Sequence, residues 1–178
     1  MINEEKKVIF IHVIKTGGAS IERYFEAGRD HKTSLQYVHE LGERQWQSYF
    51  KFTIVRNPWD KMVSQYHFNA NKWVPEGTSF NEYIRLFSEG HRISTFSPFH
   101  LPYITNSKGD VIIDYIGRFE DLDKSMKYIC SEIGSVYTGL PHINKSKHLK
   151  YQEYYNDESK NIISKMFAKE IDLFNYRF

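Results

Sequence analysis

Val8–Ser20, with the sequence VIFIHVIKTGGAS, is the most informative segment of this chain. Its apolar, largely β-branched beginning predicts a buried strand over Val8–Ile14, which then runs into a lysine, a threonine and two glycines. Glycines let the backbone come close to a ligand, and the first N–H groups of a following helix attract negative charge. Lys15 adds a cation, while Thr16 and Ser20 add hydroxyl donors. The stretch therefore predicts a site for a phosphate-like group near the N-terminus.

The composition is that of an ordinary globular protein, with 40% hydrophobic and 26% charged residues among 178. This length favours one domain, residues 1–178. The net charge is only +2, whereas proteins that follow nucleic-acid phosphates carry strongly basic surfaces, so we expect no nucleic-acid partner. With Cys130 as its single cysteine, the chain can form no intramolecular disulfide and no zinc site made of cysteines.

The sequence has no segment typical of export or of a membrane span. The apolar run near the N-terminus is short and is interrupted by His12. Every other apolar run falls well below the roughly 20 residues that a membrane helix needs. A lone cysteine fits a reducing compartment. We therefore expect a cytoplasmic protein without a membrane partner, and the sequence leaves the oligomeric state open.

Strand and helix patterns alternate along the chain, which is typical of an α/β fold with a mainly parallel central sheet flanked by helices. The predicted strands are Val8–Ile14, Lys51–Val55 and Val111–Ile116. The predicted helices are Ala19–Ala27, Leu41–Phe50, 58–69, Phe80–Ser88, Glu120–Ile133 and Asn156–Lys169, and an aromatic tail over Ile171–Phe178 is expected to dock on the core. Because ligands bind at the carboxyl ends of parallel strands, the turns after the first two strands should share one edge of the sheet.

The second of these turns lies in Val55–Tyr66, with the sequence VRNPWDKMVSQY. Asn57 suits a helix N-cap and Pro58 suits the first helical position. Arg56, directly after the strand, carries a guanidinium fork suited to a terminal phosphate, and the hydroxyl of Ser64, two helical turns on, can share that phosphate. Two anion sites at one edge predict a ligand with two separated phosphate-like ends.

The glycine turn differs from the nucleotide-binding P-loop of kinases. That pattern has a glycine, four residues and then Gly-Lys-Ser/Thr, whereas Lys15 precedes both glycines here. The second strand ends in Arg56 rather than in the aspartate that often holds magnesium. The pattern favours anion binding by protein cations without a metal. A nucleotide kinase remains the alternative from another reaction class.

Together the motifs resemble those of the PAPS-dependent sulfotransferases, where PAPS is 3′-phosphoadenosine-5′-phosphosulfate. HVIKTGGAS is similar to their 5′-phosphosulfate loop, His-x-Pro-Lys-Thr-Gly-Gly-Thr/Ser, and VRNPWDKMVSQY to their 3′-phosphate motif. IGRFEDL over Ile116–Leu122 and LPHINKSKH over Leu140–His148 resemble later segments, most closely in the branch of carbohydrate sulfotransferases and small bacterial relatives. The resemblance implies a P-loop-like sulfotransferase fold and sulfuryl transfer from PAPS to a hydroxyl of a carbohydrate or small-molecule acceptor, with adenosine 3′,5′-bisphosphate as product.

The resemblance also implies which residues bind the donor. Those for the 5′-phosphosulfate are Lys15, Thr16, Gly17, Gly18, Ala19 and Ser20, and those for the 3′-phosphate are Arg56 and Ser64. Those implied to close around the nucleotide are Arg118, Phe119, Lys145 and Ser146. Ile14 stands where the family usually has proline, and Ala19 lacks a frequent hydroxyl, so we expect weaker donor binding.

Sulfuryl transfer to a hydroxyl needs a group that takes the proton of the acceptor. The spacing in sequence between His31, in RDHKTS, and the arginine motif resembles the spacing of the catalytic histidine in related carbohydrate sulfotransferases. Lys15 would stabilise charge on the bridging oxygen of the leaving phosphate. Glu22 and Glu120 are alternative bases, although we expect Glu22 to be solvated, and His12 is expected to be a core histidine. A relative that binds the nucleotide without catalysis is the second alternative.

Overall fold

A computed structural model of the chain describes residues 1–141 and 149–178. These residues form two compact units. The first consists of residues 1–55 and 98–141, and the second consists of residues 56–97 and 149–178. The expectation of one domain over residues 1–178 stays a prediction.

The first unit contains a four-stranded sheet with the strand order β1-β2-β3-β4. The strands are β1 (Ile2–Asn3), β2 (Val8–Ile11), β3 (Phe50–Val55) and β4 (Tyr115–Arg118). Strands β2, β3 and β4 run parallel, and β1 pairs antiparallel with β2. The predicted α/β fold with a mainly parallel sheet is thus confirmed.

Helices flank this sheet and make up most of the second unit. In chain order they are α1 (Gly18–Tyr24), α2 (Ser34–Leu41), α3 (Glu43–Gln47), α4 (Pro58–Trp73), α5 (Phe80–Ser88), α6 (Leu101–Ile104), α7 (Leu122–Glu132), α8 (Asp157–Met166) and α9 (Ala168–Phe174), with a 3-10 helix at Tyr151–Tyr154. Among the described residues, we find no helix with the length and apolar character that crossing a membrane requires.

The core of the first unit forms around the central strands. All four side chains of β2 are fully buried, and the rings of Phe10 and Phe52 stack 5.0 Å apart between neighbouring strands. Ile11 lies opposite Thr53, and Val55 lies opposite Arg118. The carboxyl ends of β2, β3 and β4 therefore lie side by side at one edge of the sheet.

The predicted bounds of the strand Val111–Ile116 are wrong, since β4 begins only at Tyr115 and ends at Arg118. The carboxylate of Asp114 accepts from the main-chain N–H of Lys51 at 2.7 Å and lies 2.9 Å from the Lys51 ammonium. The main-chain N–H of Asp114 also donates to the carbonyl of Lys51 at 2.8 Å, so side chain and main chain together join these residues just before β4. Val111, which is 38% exposed, makes only an isolated bridge with Thr105.

Two predicted helices are divided in the structure. The prediction of one helix over Leu41–Phe50 is wrong, because Gly42 has φ 76° and separates α2 from α3, while Phe50 already belongs to β3. The helix that begins after Asn156 stops at Met166, and α9 starts at Ala168. Both divisions occur at a residue whose backbone leaves the helical region.

In the second unit, the predicted beginning of α4 is confirmed. The side-chain oxygen of Asn57 accepts from the N–H groups of Trp59 at 3.0 Å and of Asp60 at 3.4 Å, and Pro58 occupies the first turn. The ring of Phe178 lies 5.5 Å from that of Trp59 in an edge-on contact. The aromatic tail therefore packs on α4, as predicted.

Candidate functional site

The glycine turn after β2 combines two left-handed backbone positions with an internal hydrogen bond. Lys15 and Gly17 both have left-handed φ values, 64° and 80°. The hydroxyl of Thr16 is buried and donates to the carbonyl of Val13 at 2.7 Å, so it closes the turn from within. Gly17 is the N-cap of α1 and offers no side-chain oxygen to the first amides of the helix, while its carbonyl accepts from the N–H of Ser20 at 3.0 Å.

The two glycines of the turn are required for different reasons. A Cβ built on Gly17 would lie 3.3 Å from the ring of Phe119, which places the predicted 118–119 segment beside the turn. A Cβ on Gly18 would lie 2.0 Å from Nε2 of His12, a distance at which two heavy atoms overlap. The turn thus needs glycine at position 17 for its φ and at position 18 for space.

His12 and Glu22 form a buried hydrogen-bonded pair beneath this turn. Nδ1 of His12 lies 2.6 Å from Oε1 of Glu22, and the two residues are 6% and 4% exposed. The guanidinium of Arg29 donates to the other carboxylate oxygen at 3.3 Å. The expectation of a solvated Glu22 is therefore wrong, because His12 gives this carboxylate an internal partner. The prediction of a buried, satisfied His12 is confirmed.

The protonation states of this pair follow from its surroundings. Burial lowers the pKa of His12 below its ordinary value, although the hydrogen bond to Glu22 opposes that shift. Burial would raise the pKa of Glu22, but the hydrogen bonds and charges of His12 and Arg29 outweigh it and lower the pKa. At neutral pH we therefore assign a neutral imidazole whose Nδ1–H donates to an ionised carboxylate.

This pair predicts a loss of stability on mild acidification. The unfolded chain takes up a proton on His12 below about pH 6.5, whereas the folded chain resists it, so the melting temperature should fall between pH 7.5 and 5.5. His12→Asn, whose amide can still donate to Glu22, should reduce that fall in a thermal melt. His39→Asn removes an exposed histidine and is the control. An equal fall in His12→Asn and in the unsubstituted protein would contradict the assignment.

His31 returns to the end of β2 although it lies in the connection between α1 and α2. Its Nδ1 lies 3.0 Å from the carbonyl oxygen of His12, and the two imidazole centroids are 4.3 Å apart. A carbonyl oxygen only accepts, so Nδ1 of His31 must carry the hydrogen and the neutral ring has its lone pair on Nε2. His31 is half-buried. This tautomer is the one that can take a proton at Nε2.

In the second unit, Arg56 and Ser64 are buried on or beside α4, with exposures of 7% and 3%. Nε of Arg56 donates to the carboxylate of Asp60 at 2.8 Å, one helical turn on. This bond fixes the plane of a guanidinium that carries five N–H donors in total. The orientation of the Arg56 side chain is therefore fixed by Asp60.

Lys61 is a buried residue whose burial was not expected from the sequence. Its side chain is fully buried, which lowers its pKa to about 7, against the opposing effect of the Glu170 carboxylate. The positive charge of Arg56 lowers the pKa further. A lysine in the middle of a helix gives no sequence signal of burial, so only the fold shows a second basic residue within electrostatic reach of Arg56.

Two groups of predicted residues complete the account of the site. Arg118 is the last residue of β4, and the N–H of Phe119 donates to the carbonyl of Val55 at 2.8 Å. Lys145 and Ser146 lie outside the described residues. Within residues 1–141 and 149–178, no group of three or more histidine, cysteine or acidic residues is arranged to hold a metal ion.

Comparison with known proteins agrees with these motifs. A model described as the sulfotransferase family matches residues 1–177. An uncharacterized protein of Archaeoglobus fulgidus is 28% identical over 96 residues, which cover 54% of this chain and 77% of the relative. No solved structure matches the chain significantly. Because the family match spans nearly the whole sequence, this chain belongs to the sulfotransferase family.

Proposed function

We propose that the protein transfers a sulfuryl group from PAPS to a hydroxyl of a carbohydrate or small-molecule acceptor, with His31 as the base. One observation carries this proposal. The glycine turn follows the carboxyl end of β2, and the carbonyl of His12, the residue directly after β2, accepts a hydrogen bond from His31. An anion cradle and a proton acceptor thus share one support, as sulfuryl transfer requires.

The residues of the turn fit a phosphosulfate group. Glycine at positions 17 and 18 lets Phe119 and His12 pack against the turn, and α1 begins directly after Gly17. Its amides together with Lys15, Ala19 and Ser20 would hold the 5′-phosphosulfate. The hydroxyl of Thr16 acts inside the turn, so its contribution to the ligand would come from its main chain.

The other end of the donor, the 3′-phosphate, would bind Arg56 and Ser64. The bond from Arg56 to Asp60 orders the guanidinium before the ligand arrives, which lowers the entropy lost on binding. Arg118, Phe119, Lys145 and Ser146 are the residues proposed to close around the nucleotide. The position of Phe119 against Gly17 supports its part in this set.

The proposed reaction is an in-line displacement at sulfur. Nε2 of His31 takes the proton of the acceptor hydroxyl while the hydroxyl oxygen forms a bond to sulfur. The bond between sulfur and the bridging oxygen of the 5′-phosphate breaks, and its electron pair stays on that oxygen. Lys15 stabilises this negative charge. The products are the sulfate ester and adenosine 3′,5′-bisphosphate, and the proton remains on His31 until it passes to solvent.

The two ends of the donor predict a crossover in binding. Lys15→Met should weaken 5′-AMP, and Arg56→Lys should weaken 3′-AMP, each by about 10–100-fold, because each loses a hydrogen bond to a charged group worth about 1.5–3 kcal/mol. Arg56→Lys keeps a cation beside Asp60 and so protects the fold. Isothermal titration calorimetry measures the affinity of each mononucleotide for each variant and for the unsubstituted protein.

Matched controls for this crossover are available on exposed helices. Lys127→Met on α7 and Arg44→Gln on α3 remove exposed cations and should leave both mononucleotide affinities unchanged. If Lys15→Met and Arg56→Lys weakened the same mononucleotide, the assignment of one residue to each end would be wrong.

The reaction itself is tested with sulfur-labelled PAPS and a panel of sugars and small hydroxyl compounds in EDTA. We expect label on at least one acceptor. Binding of the bisphosphate without label transfer to any acceptor would favour a non-catalytic relative. Transfer of phosphate from γ-labelled ATP with magnesium, without sulfate transfer, would favour a nucleotide kinase.

A further inference from the structure

We propose that Glu22 and His12 are positioning residues for His31, holding its ring in the orientation and tautomer that a base needs. This inference rests on the proposed function. It names two residues that do not themselves bind the donor or take the proton. Their role would be exerted through His31 alone.

The chain of contacts begins at Glu22. Its carboxylate is 4% exposed and accepts from Nδ1–H of His12 at 2.6 Å, a charge-assisted bond that fixes the plane of the imidazole. The ring of Phe10 stacks on this imidazole, with the ring centroids 5.3 Å apart and the ring planes at 17° to each other. The His12 ring consequently has one orientation available to it.

His12 then holds His31 in two ways. The ring of His31 lies on that of His12 with centroids 4.3 Å apart and a tilt of 39°. The main-chain carbonyl of His12 accepts from Nδ1 of His31 at 3.0 Å. One contact sets the plane of His31 and the other sets its tautomer, so that the lone pair lies on Nε2.

The arrangement is more specific than packing needs. An apolar residue at position 22 would fill a buried place without removing a carboxylate from water, which costs free energy unless the charge is paired. Glu22 instead contacts His12 and, through Oε2, Arg29, whose side chain is 63% exposed. A buried carboxylate that orders a histidine next to a second histidine is the arrangement expected where imidazole geometry controls a proton transfer.

Two variants test this role. Glu22→Leu removes the acceptor of His12, while Glu22→Gln keeps an oxygen in its place. We expect Glu22→Leu to lower kcat by about 10–100-fold, since small displacements of a reacting group cost factors of this size. The Kd of adenosine 3′,5′-bisphosphate should stay within about twofold. Glu22→Gln should restore most of kcat, and Glu26→Gln, an exposed carboxylate just after the end of α1, is the control.

A spectroscopic measurement tests the same inference without activity. Long-range ¹H–¹⁵N spectra distinguish the imidazole tautomers, and they should show Nδ1–H for both histidines in the unsubstituted protein. In Glu22→Leu, the signal of His31 should become a mixture of tautomers. If Glu22→Leu does not fold, His12→Asn serves instead, because it removes the ring beneath His31 and retains the main-chain carbonyl.

The outcomes separate this inference from the proposed function. A mixed His31 tautomer together with a fall in kcat at unchanged Kd supports positioning. Unchanged His31 spectra in both variants, or equal losses in kcat and in bisphosphate affinity, overturn it. An unsubstituted protein that transfers no sulfate would refute the proposed function, while the spectra would still decide whether Glu22 and His12 order His31.

Discussion

Replacing His31 by asparagine is expected to lower kcat by about 100- to 10,000-fold, the usual contribution of a general base. The side-chain amide of asparagine can donate to the carbonyl of His12 where Nδ1 now does, at 3.0 Å, so the connection after α1 should keep its path. What the substitution removes is Nε2. The rate of label transfer from PAPS at saturating donor measures the effect, and the Kd of adenosine 3′,5′-bisphosphate should stay within about twofold.

Two further variants show whether the loss of turnover is specific to His31. Glu120→Gln changes the exposed carboxylate that the sequence leaves as an alternative, and it should keep kcat. His39→Asn repeats the same substitution at an exposed histidine and should also be fully active. Wild-type turnover in His31→Asn, or a loss confined to Glu120→Gln, would show that His31 is not the base.

Adding one methyl group at Gly18 should have the second-largest effect. The Cβ of Gly18→Ala would lie 2.0 Å from Nε2 of His12. That imidazole is held by Glu22 at 2.6 Å and contacts the rings of Phe10 and His31, so moving away from the added methyl group would break these contacts. Overpacking of this kind costs about 1–3 kcal/mol, which for a domain of this size lowers the melting temperature by about 2–12 °C.

The same substitution should also reduce sulfate transfer, since the clash displaces the residue that supports both the turn and His31. Gly28→Ala is the matched control, because a Cβ there meets nothing within 4 Å. Its melting temperature should be unchanged or slightly higher. A Gly18→Ala protein with the melting temperature and turnover of the Gly28→Ala protein would contradict the packing of His12 against the turn.

Local sequence signals predicted the elements that present the motifs. The apolar run of β3 and the Asn57-Pro58 start of α4 depend only on neighbouring residues, because burial patterns and caps are local. The same holds for α5, whose predicted range Phe80–Ser88 agrees with the structure. The glycine turn could be predicted because Lys15 and two adjacent glycines follow an apolar strand and the Arg56 motif follows the next strand.

Contacts between distant residues could not be predicted. His31 and His12 are 19 positions apart and meet through a main-chain carbonyl, which leaves no trace in hydrophobic periodicity. The sequence predicts a solvated Glu22 because its partner, His12, follows β2 and does not lie on the same helix. The start of β4 was misplaced for a similar reason, since the bond of Asp114 to Lys51 is invisible in the run VIIDYI.

The proposed function requires that the protein binds a doubly anionic adenosine compound through protein cations and main-chain amides. Calorimetry with adenosine 3′,5′-bisphosphate in EDTA is the test of this claim. We predict saturable binding of one ligand per chain, with 5′-AMP and 3′-AMP each binding more weakly because each lacks one phosphate. Absence of bisphosphate binding, or binding that appears only after magnesium is added, would contradict the claim.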